Sequence, residues 1–445
     1  MVAEMALDQA SARLSRILVD RARMTVPEAE AKLNAMRLHI GVGSFAPTPA
    51  FHAALLTAIV VGTKCFRGGV HFDMDGDQPL AVPWSSDCQS LREAIASLKV
   101  NTGPKSTCAT VLFGHPRSTT SDPTFFATWD EWSAGCARSP VPTSPAQSTN
   151  PLAGIAAAAL AVGAAFRQAL GFDVSESLKH ELWPSGAPNF SDVYLPGSLW
   201  VLGLGNLGQA FLWTLSMLPF QDPSEVLLLL QDDDHASVQN LVTSVLTTKD
   251  NVGNLKGKLC EAWIEKRNFL VRRVDRRIQA TDRLLPTDPR VAFCGFDKIG
   301  SRKLLAETGF DAIVDAGLGR SASDFDRYRV TVFDKARRID DHFIGLNDEP
   351  ARGHGPLPDA YRDLEKAVGA CGMAEYAGAS VAAPYVSTLA ATTAITRLIA
   401  LSSGLEHPVN TVGWASTGDR VRYGPSSRTL ARGIGHSGHP WPLKR

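Results

Sequence analysis

The residues of this 445-residue chain best placed to do chemistry sit close together: Gly203-Leu204-Gly205-Asn206-Leu207-Gly208 and, after an apolar stretch, Asp232-Asp233-Asp234. Glycines at that spacing let a backbone turn tightly and bring a phosphate up to a helix N-terminus, and an acid ending the next strand can accept from ribose hydroxyls. G-x-G-x-x-G by itself is a weak signal, shared with any tight turn before a core helix. Its context strengthens it. Leu199-Trp200-Val201-Leu202 reads as a buried strand running into the glycines, and Leu207, Ala210, Phe211, Leu215 and Leu218 form a helical stripe that stops against Pro219. Val226–Leu230 is apolar enough to be a strand buried on both faces, and it runs into the three aspartates. The order strand, glycine turn, helix, strand, acid predicts a β-α-β nucleotide unit with Gly203, Gly205, Gly208, Asp232 and Asp234 at the ligand.

Further residues narrow the kind of nucleotide protein. Asn240 follows Asp232 by eight positions, Gly253 follows Asn240 by thirteen and Lys256 by sixteen. The run Asp232-Asp233-Asp234-His235-Ala236-Ser237-Val238-Gln239-Asn240-Leu241, with Gly253 and Lys256 after it, resembles the ThiF-type adenylyltransferases, the superfamily of ubiquitin-activating enzymes. In that family D-x-D-x-x-x-x-S-N-L, a later G and a K form the ATP site. The resemblance implies ATP with Mg2+ as cofactors and a carboxylate that attacks the α-phosphorus and releases pyrophosphate. It implies as partner the C-terminal carboxylate of a ubiquitin-like or sulfur-carrier protein, or of a peptide. The transition state gathers negative charge on phosphate oxygens, so Lys256 is the candidate for neutralising it, Asn240 for a phosphate or ribose hydrogen bond, and Asp232 for the ribose. An NAD-dependent oxidoreductase, supported by the glycines alone, has no use for the Asn and Lys.

This chain departs from the family in two places. Where the family has N-L-x-R-Q it reads Asn240-Leu241-Val242-Thr243-Ser244, and where the family holds magnesium three residues beyond the strand-end Asp315 it has Leu318. The expectation is that Asp315 takes the metal and Arg320 the role of the lost arginine, giving Lys256, Asp315 and Arg320 as the catalytic set. Family dimers also insert an arginine from the partner half, for which Arg37 and Arg67 are candidates. Cys371 and Cys294 are minor candidates for an acceptor thiol. The alternative is a member that keeps the fold as a nucleotide-binding scaffold or regulatory subunit without catalysis.

The positioning elements follow from pattern. Alternation of strand and helix through the second half, with Phe269–Val274, Val291–Cys294 and Phe310–Asp315 as strands and Ser301–Thr308 as a helix, predicts a doubly wound, mostly parallel Rossmann-like α/β sheet with ligands at the strands' C-terminal ends. The first half offers a fainter version: Leu38–Gly43 as strand and glycine turn, a helix over His52–Phe66, a strand Gly69–Phe72 running into Asp73, and a strand Cys108–Phe113, with the third glycine missing. Alanine-rich helices at Ala153–Leu170 and Gly378–Leu401 close both halves. The reading is a duplicated, pseudo-dimeric chain, or one that also forms a homodimer: N-terminal helices over 1–37, a degenerate half over 38–190, the ThiF-type nucleotide domain over 191–425 and a flexible tail over 426–445.

Ala3–Arg23 reads as a surface helix, Thr25 and Glu28 as a capping box, Arg138–Pro151 as a loop, Arg320–Tyr361 as a charged, solvated connection and Thr411–Tyr423 as a hairpin turning at Gly418-Asp419. With 45 basic against 45 acidic residues there is no basic field for nucleic acid. Seven scattered cysteines without C-x-x-C read as free thiols of a cytoplasmic protein without structural zinc. Leu152–Phe166 is too short for a membrane span.

Overall fold

A computed structural model of the chain describes residues 12–43, 46–74, 76–99, 107–114, 123–140, 148–183, 186–346, 348, 359–378, 380–381, 383–422 and 438–440. Helices α1 (Ala12–Ala22) and α2 (Val26–Ala35) lead into β1 (Leu38–Val42), α3 (Pro49–Cys65), β2 (Val70–Asp73), α4 (Leu91–Ser97), β3 (Ala109–Phe113), β4 (Thr124–Asp130), β5 (Ser133–Ala137), α5 (Pro151–Leu170) and β6 (Ser177–Glu181). After β7 (Tyr194–Pro196) come β8 (Ser198–Leu202), α6 (Asn206–Ser216), β9 (Leu227–Gln231), α7 (Lys256–Glu265), β10 (Leu270–Val274), β11 (Val291–Cys294), α8 (Ile299–Lys303), β12 (Ala312–Leu318) and β13 (Arg327–Asp334). The remainder is α9 (Ile339–His342), α10 (Asp359–Gly378), α11 (Pro384–Ser402), β14 (Asn410–Trp414), β15 (Gly418–Arg422) and β16 (Gly438–Pro440).

The fold is mixed α/β, with two mainly parallel sheets. One runs β2-β1-β3-β4-β5-β6 and the other β10-β9-β8-β11-β12-β13-β14-β15. In the first, β2, β1, β3 and β4 are parallel and β5 and β6 turn back antiparallel; in the second, β10 through β12 are parallel and β13 through β15 antiparallel. The connections also match. A glycine turn and helix leave the central strand in each half, and an apolar helix, α5 or α11, separates the antiparallel strand from the one that follows it.

Helices α3, α5, α6 and α11 fill the space between the sheets. Helix α5 starts at the Asn150 cap, whose side chain accepts from Leu152 N, with Pro151 in the first turn, and ends at Gly171 with φ 92°. Small residues bring the helices close: a Cβ on Gly154 would lie 2.1 Å from the Ala50 carbonyl oxygen of α3. At 20 and 19 residues, α5 and α11 have the length and apolarity of membrane spans, but 83% and 94% of their apolar windows are buried inside the protein. The expectation that α5 is too short is therefore corrected, and its surroundings identify it as a core helix. Polar contacts cross the same interface: Trp213 Nε1 donates to Thr57 Oγ1 at 2.9 Å, buried Lys64 Nζ donates to the Thr247 carbonyl, and Arg397 Nη1 donates to Leu182 O at 2.6 Å.

Four further expectations change. Helix α1 is no surface helix, because Leu14 through Val19 are all buried. The solvated connection after Arg320 contains β13, an inner strand buried at Tyr328 and from Val330 to Phe333, which its interleaved arginines disguise. The helix expected from Gly378 begins instead at Pro384, in the first turn where a proline is tolerated, and Gly378 is the last residue of α10. The hairpin after Asn410 turns at residues 415–417, before Gly418. Most of the expected tail lies outside the described residues, but β16 pairs with β7.

Candidate functional site

The glycine turn is built by close approach. Gly203 takes φ 81°, a left-handed conformation, and its N–H donates to Gln231 O at 2.9 Å, joining β8 to β9. A Cβ on Gly208 would stand 1.9 Å from the Gly203 carbonyl oxygen, so α6 can start here only with glycine. Among the described residues nothing lies within 4 Å of a Cβ on Gly205, which opens to a cavity. Asp232 fastens the turn: its Oδ2 accepts from Leu204 N at 2.6 Å and its Oδ1 from Asp234 N at 2.8 Å. Burial pushes its carboxyl up, against the pull of the Lys256 charge.

The motif residues after β9 come together by backbone pairing. Ala236 N donates to Asn254 O at 2.8 Å and Gly253 N to Ala236 O at 2.7 Å, and Lys256 N donates to Asp234 O at 2.9 Å. This places Lys256, the first residue of α7, with Nζ 2.9 Å from Asp234 Oδ2. Burial raises the Asp234 carboxyl, but the Lys256 bond and the charges of Lys256, Arg277 and Lys298 outweigh it and hold the group below its ordinary range. Asn240 faces inward. Its Oδ1 accepts from Ser237 N at 2.9 Å and Ser237 Oγ at 3.1 Å, and its Nδ2 donates to Ser244 Oγ at 3.2 Å, so it pins the turn beneath the cavity.

The opposite wall is made by residues that the sequence reading did not bring together. Asp315, in the middle of β12, is completely buried, with Oδ1 3.0 Å from Arg302 Nε and Oδ2 2.7 Å from Arg329 Nη2. The first contact is close but poorly angled for a hydrogen bond. Arg302 instead donates its Nη2 to Phe296 O at 2.6 Å and Ala316 O at 2.9 Å. Arg329 Nη1 donates to His342 Nε2 at 3.1 Å, and burial followed by the Arg329 charge holds that imidazole below its ordinary value. A divalent cation on Asp315 would stand beside two guanidinium charges. In this geometry Asp315 holds Arg302 and Arg329 at the cavity.

Five more arginines line the cavity, whose volume is about 980 Å³: Arg13, Arg276, Arg277, Arg320 and Arg327. Arg320 lines it beyond β12, with Nε donating to Ser380 Oγ at 3.2 Å. Arg13 enters from α1, its Nε donating to Gln239 Oε1 at 2.9 Å beside Asn240. Burial lowers its pKa and Asp297 opposes the shift. Arg37 and Arg67 do not line the cavity; Arg37 donates to Ala35 O. Gly203, Gly205, Asp232, Asp234, Asn240, Lys256 and Arg320 do line it, while Gly208 stands behind the turn and Asp315 behind the arginines. Arg13, Arg302 and Arg329 were missed because nothing near them in sequence repeats the glycine motif. The one available signal was Arg302, set among Ile299, Leu305 and Ala306 at helical spacing.

Cys294 is buried, and its thiol is pushed up by burial and then by Asp315, the opposite of what a nucleophilic cysteine needs. Cys371 lies on α10, where its side chain falls outside the described residues.

Known proteins resemble this chain in two sections. The BilD C-terminal domain family matches residues 195–405 and the BilD N-terminal domain family residues 36–177. The bacterial E1-like protein BilD of Collimonas sp. (strain OK412) is 30% identical over 406 residues, covering 83% of this chain and 84% of that protein. Among solved structures, E. coli MccB with MccA-N7isoASN has a TM-score of 0.35 at 14% identity, over 52% of this chain and 65% of that one. E. coli MccB with ATP has a TM-score of 0.32 at 17% identity, over 52% and 64%. The chain thus spans slightly less than two thirds of MccB.

Proposed function

The chain belongs to the BilD family of bacterial E1-like proteins, and from that premise we propose that it is an ATP-dependent adenylyltransferase that activates the C-terminal carboxylate of a ubiquitin-like or sulfur-carrier protein, or of a peptide. The observation that carries this reading is the pairing of two walls across one cavity. A glycine turn open at Gly205 faces Arg302, Arg320 and Arg329, with Arg13 and Lys256 alongside. A triphosphate needs such a set of fixed cations, and a nicotinamide dinucleotide does not.

In this reading the ribose hydroxyls donate to Asp232, whose carboxylate has lone pairs beyond the two used by the turn. Lys256 leaves Asp234 for the phosphates as the nucleotide enters. Arg13 supplies the charge that the family places in N-L-x-R-Q, and it reaches the cavity from α1. Arg302 and Arg329, held by Asp315, join Arg320 around the departing pyrophosphate. Mg2+ would stabilise the phosphate charge; it takes few protein ligands and many phosphate oxygens, which Asp234 at the rim fits and Asp315 does not.

We also read the matching strand orders as a duplication, with a degenerate half over 38–190 and the nucleotide domain over 191–425. The first half keeps the strand order, while its copy of the glycine motif lacks the third glycine. ATP–pyrophosphate exchange with carrier candidates tests the function. Exchange that is lost in Lys256→Ala supports it. ATP binding without exchange by any carrier overturns it in favour of a scaffold.

A further inference from the structure

The first half holds a cluster of side chains that nucleotide chemistry leaves unused. His39 on β1 and His71 on β2 are register partners on parallel strands, and their rings stack with centroids 5.6 Å apart and planes 24° from parallel. Asp73 follows His71 by two residues and so returns to the same face of the sheet. Its Oδ2 lies 3.2 Å from His39 Nε2 and its Oδ1 3.1 Å from His71 Nε2. Each of the three residues has a ligand atom within 4.8 Å of the others. On the far side of the ring, His39 Nδ1 lies 3.5 Å from Thr110 Oγ1 of β3.

We propose that His39, His71 and Asp73 form a binding site for a divalent transition-metal ion of the zinc class, with an open coordination position toward solvent. Ligands held about 2.0–2.1 Å from zinc stand about 3.3 Å from one another in a tetrahedral shell. Both imidazole–carboxylate separations already have that spacing. Two imidazoles and one carboxylate select zinc, nickel or iron(II) over magnesium and calcium, which take all-oxygen shells.

Two further observations point to an ion. The His71 Nε2 atom is cut off from solvent and, despite its closeness to Asp73, makes no hydrogen bond of acceptable angle among the described residues. The imidazoles are held by packing, with side chains 15% and 19% exposed, whereas the Asp73 side chain is 62% exposed and can swing onto an ion arriving from solvent. A hydroxyl beside the second ring nitrogen, as Thr110 provides, is the kind of outer partner that orients metal-bound histidines. The sequence expectation of no zinc rested on missing C-x-x-C pairs. This ligand set is of another kind and exists only once β1 and β2 are paired. An ion here clips the edge strand β2 to β1 and leaves a coordination position for a small anion or a partner's side chain.

The test is a titration of the metal-stripped full chain with ZnCl2 by calorimetry, with bound zinc counted by mass spectrometry after dialysis and Co2+ used as a spectroscopic probe. One zinc per chain is expected. Asp73→Ala and the double variant His39→Ala/His71→Ala should bind it at least about a hundredfold more weakly and lose the visible Co2+ bands. Because Asp73 is largely exposed, Asp73→Ala retains the fold, and its thermal unfolding midpoint checks this. A native chain that takes up no stoichiometric zinc, or variants that bind it as tightly as the native chain, would overturn the assignment.

Discussion

The two sheets of this protein follow one plan and differ in what covers them. Strands β8, β9 and β11 are buried almost throughout, because a second apolar cluster that includes Trp200, Leu229, Ile313 and Phe333 packs on the outer face of their sheet. Strands β1 and β2 bury one face against α3 and carry His39 and His71 on the other, mostly buried. A cleft at the strand ends needs walls on both sides, and the second sheet has them: α6 on one side, α8, β13 and the Phe343 region on the other. The same strand order is therefore compatible with a deep cation-lined cavity in one half and an imidazole face in the other. The difference lies in the outer layer and in a few residues at the strand ends.

The largest test of that contrast is Gly208→Ala. Its Cβ would overlap the Gly203 carbonyl, forcing the turn open, so a loss of about 3 kcal/mol of stability and of all ATP binding is expected by denaturant unfolding and calorimetry. Gly76→Ala in the first half, with φ 74° and open space around its Cβ, should cost only about 1–2 kcal/mol. Next is Asp315→Ala, which leaves Arg302 and Arg329 without their carboxylate. About 3 kcal/mol of stability should go, and exchange should fall about a hundred- to a thousandfold as the arginines lose their aim. Unchanged exchange would return Arg302 and Arg329 to a purely structural role.

The interface between the halves gives a pH signature. Burial brings the Lys64 ammonium down to about 8. Below that pH both folded and unfolded chains carry the proton, and the cost of the buried charge is fully present. Between about pH 8 and the ordinary lysine range near 10.4 the unfolded chain binds more protons than the folded one, so stability rises with pH. Lys64→Met should remove that rise, on the order of 3 kcal/mol, in urea unfolding compared at pH 7.5, 9 and 10. The smallest expected effect is that of Arg13→Ala, which should lower exchange about ten- to a hundredfold while moving the unfolding midpoint little. If Arg320→Ala alone removes exchange and Arg13→Ala does not, the nucleotide half supplies its own cation and the pseudo-dimeric site is the wrong description.

Sequence alone carried whatever depends on short-range pattern. The glycine turn, its strand and helix, the acid at the end of β9 and the Asn240 to Lys256 spacing could be read because each is fixed by neighbours a few residues away, through backbone geometry and apolar period. The capping box of α2 and the strands β3, β11 and β12 belong with them. Strands β4, β5, β6 and β13 were missed, and β13 most instructively: Arg327 and Arg329 make it look solvated, yet β12 and β14 flank it and Asp315 meets the Arg329 charge. Tertiary structure alone decided which cations face the nucleotide turn. Arg13, Arg302 and Arg329 come from a helix near the N-terminus, a five-residue helix and an inner strand. They meet only because apolar burial closes those elements around one cavity, and that burial records nothing about the polar groups it brings together.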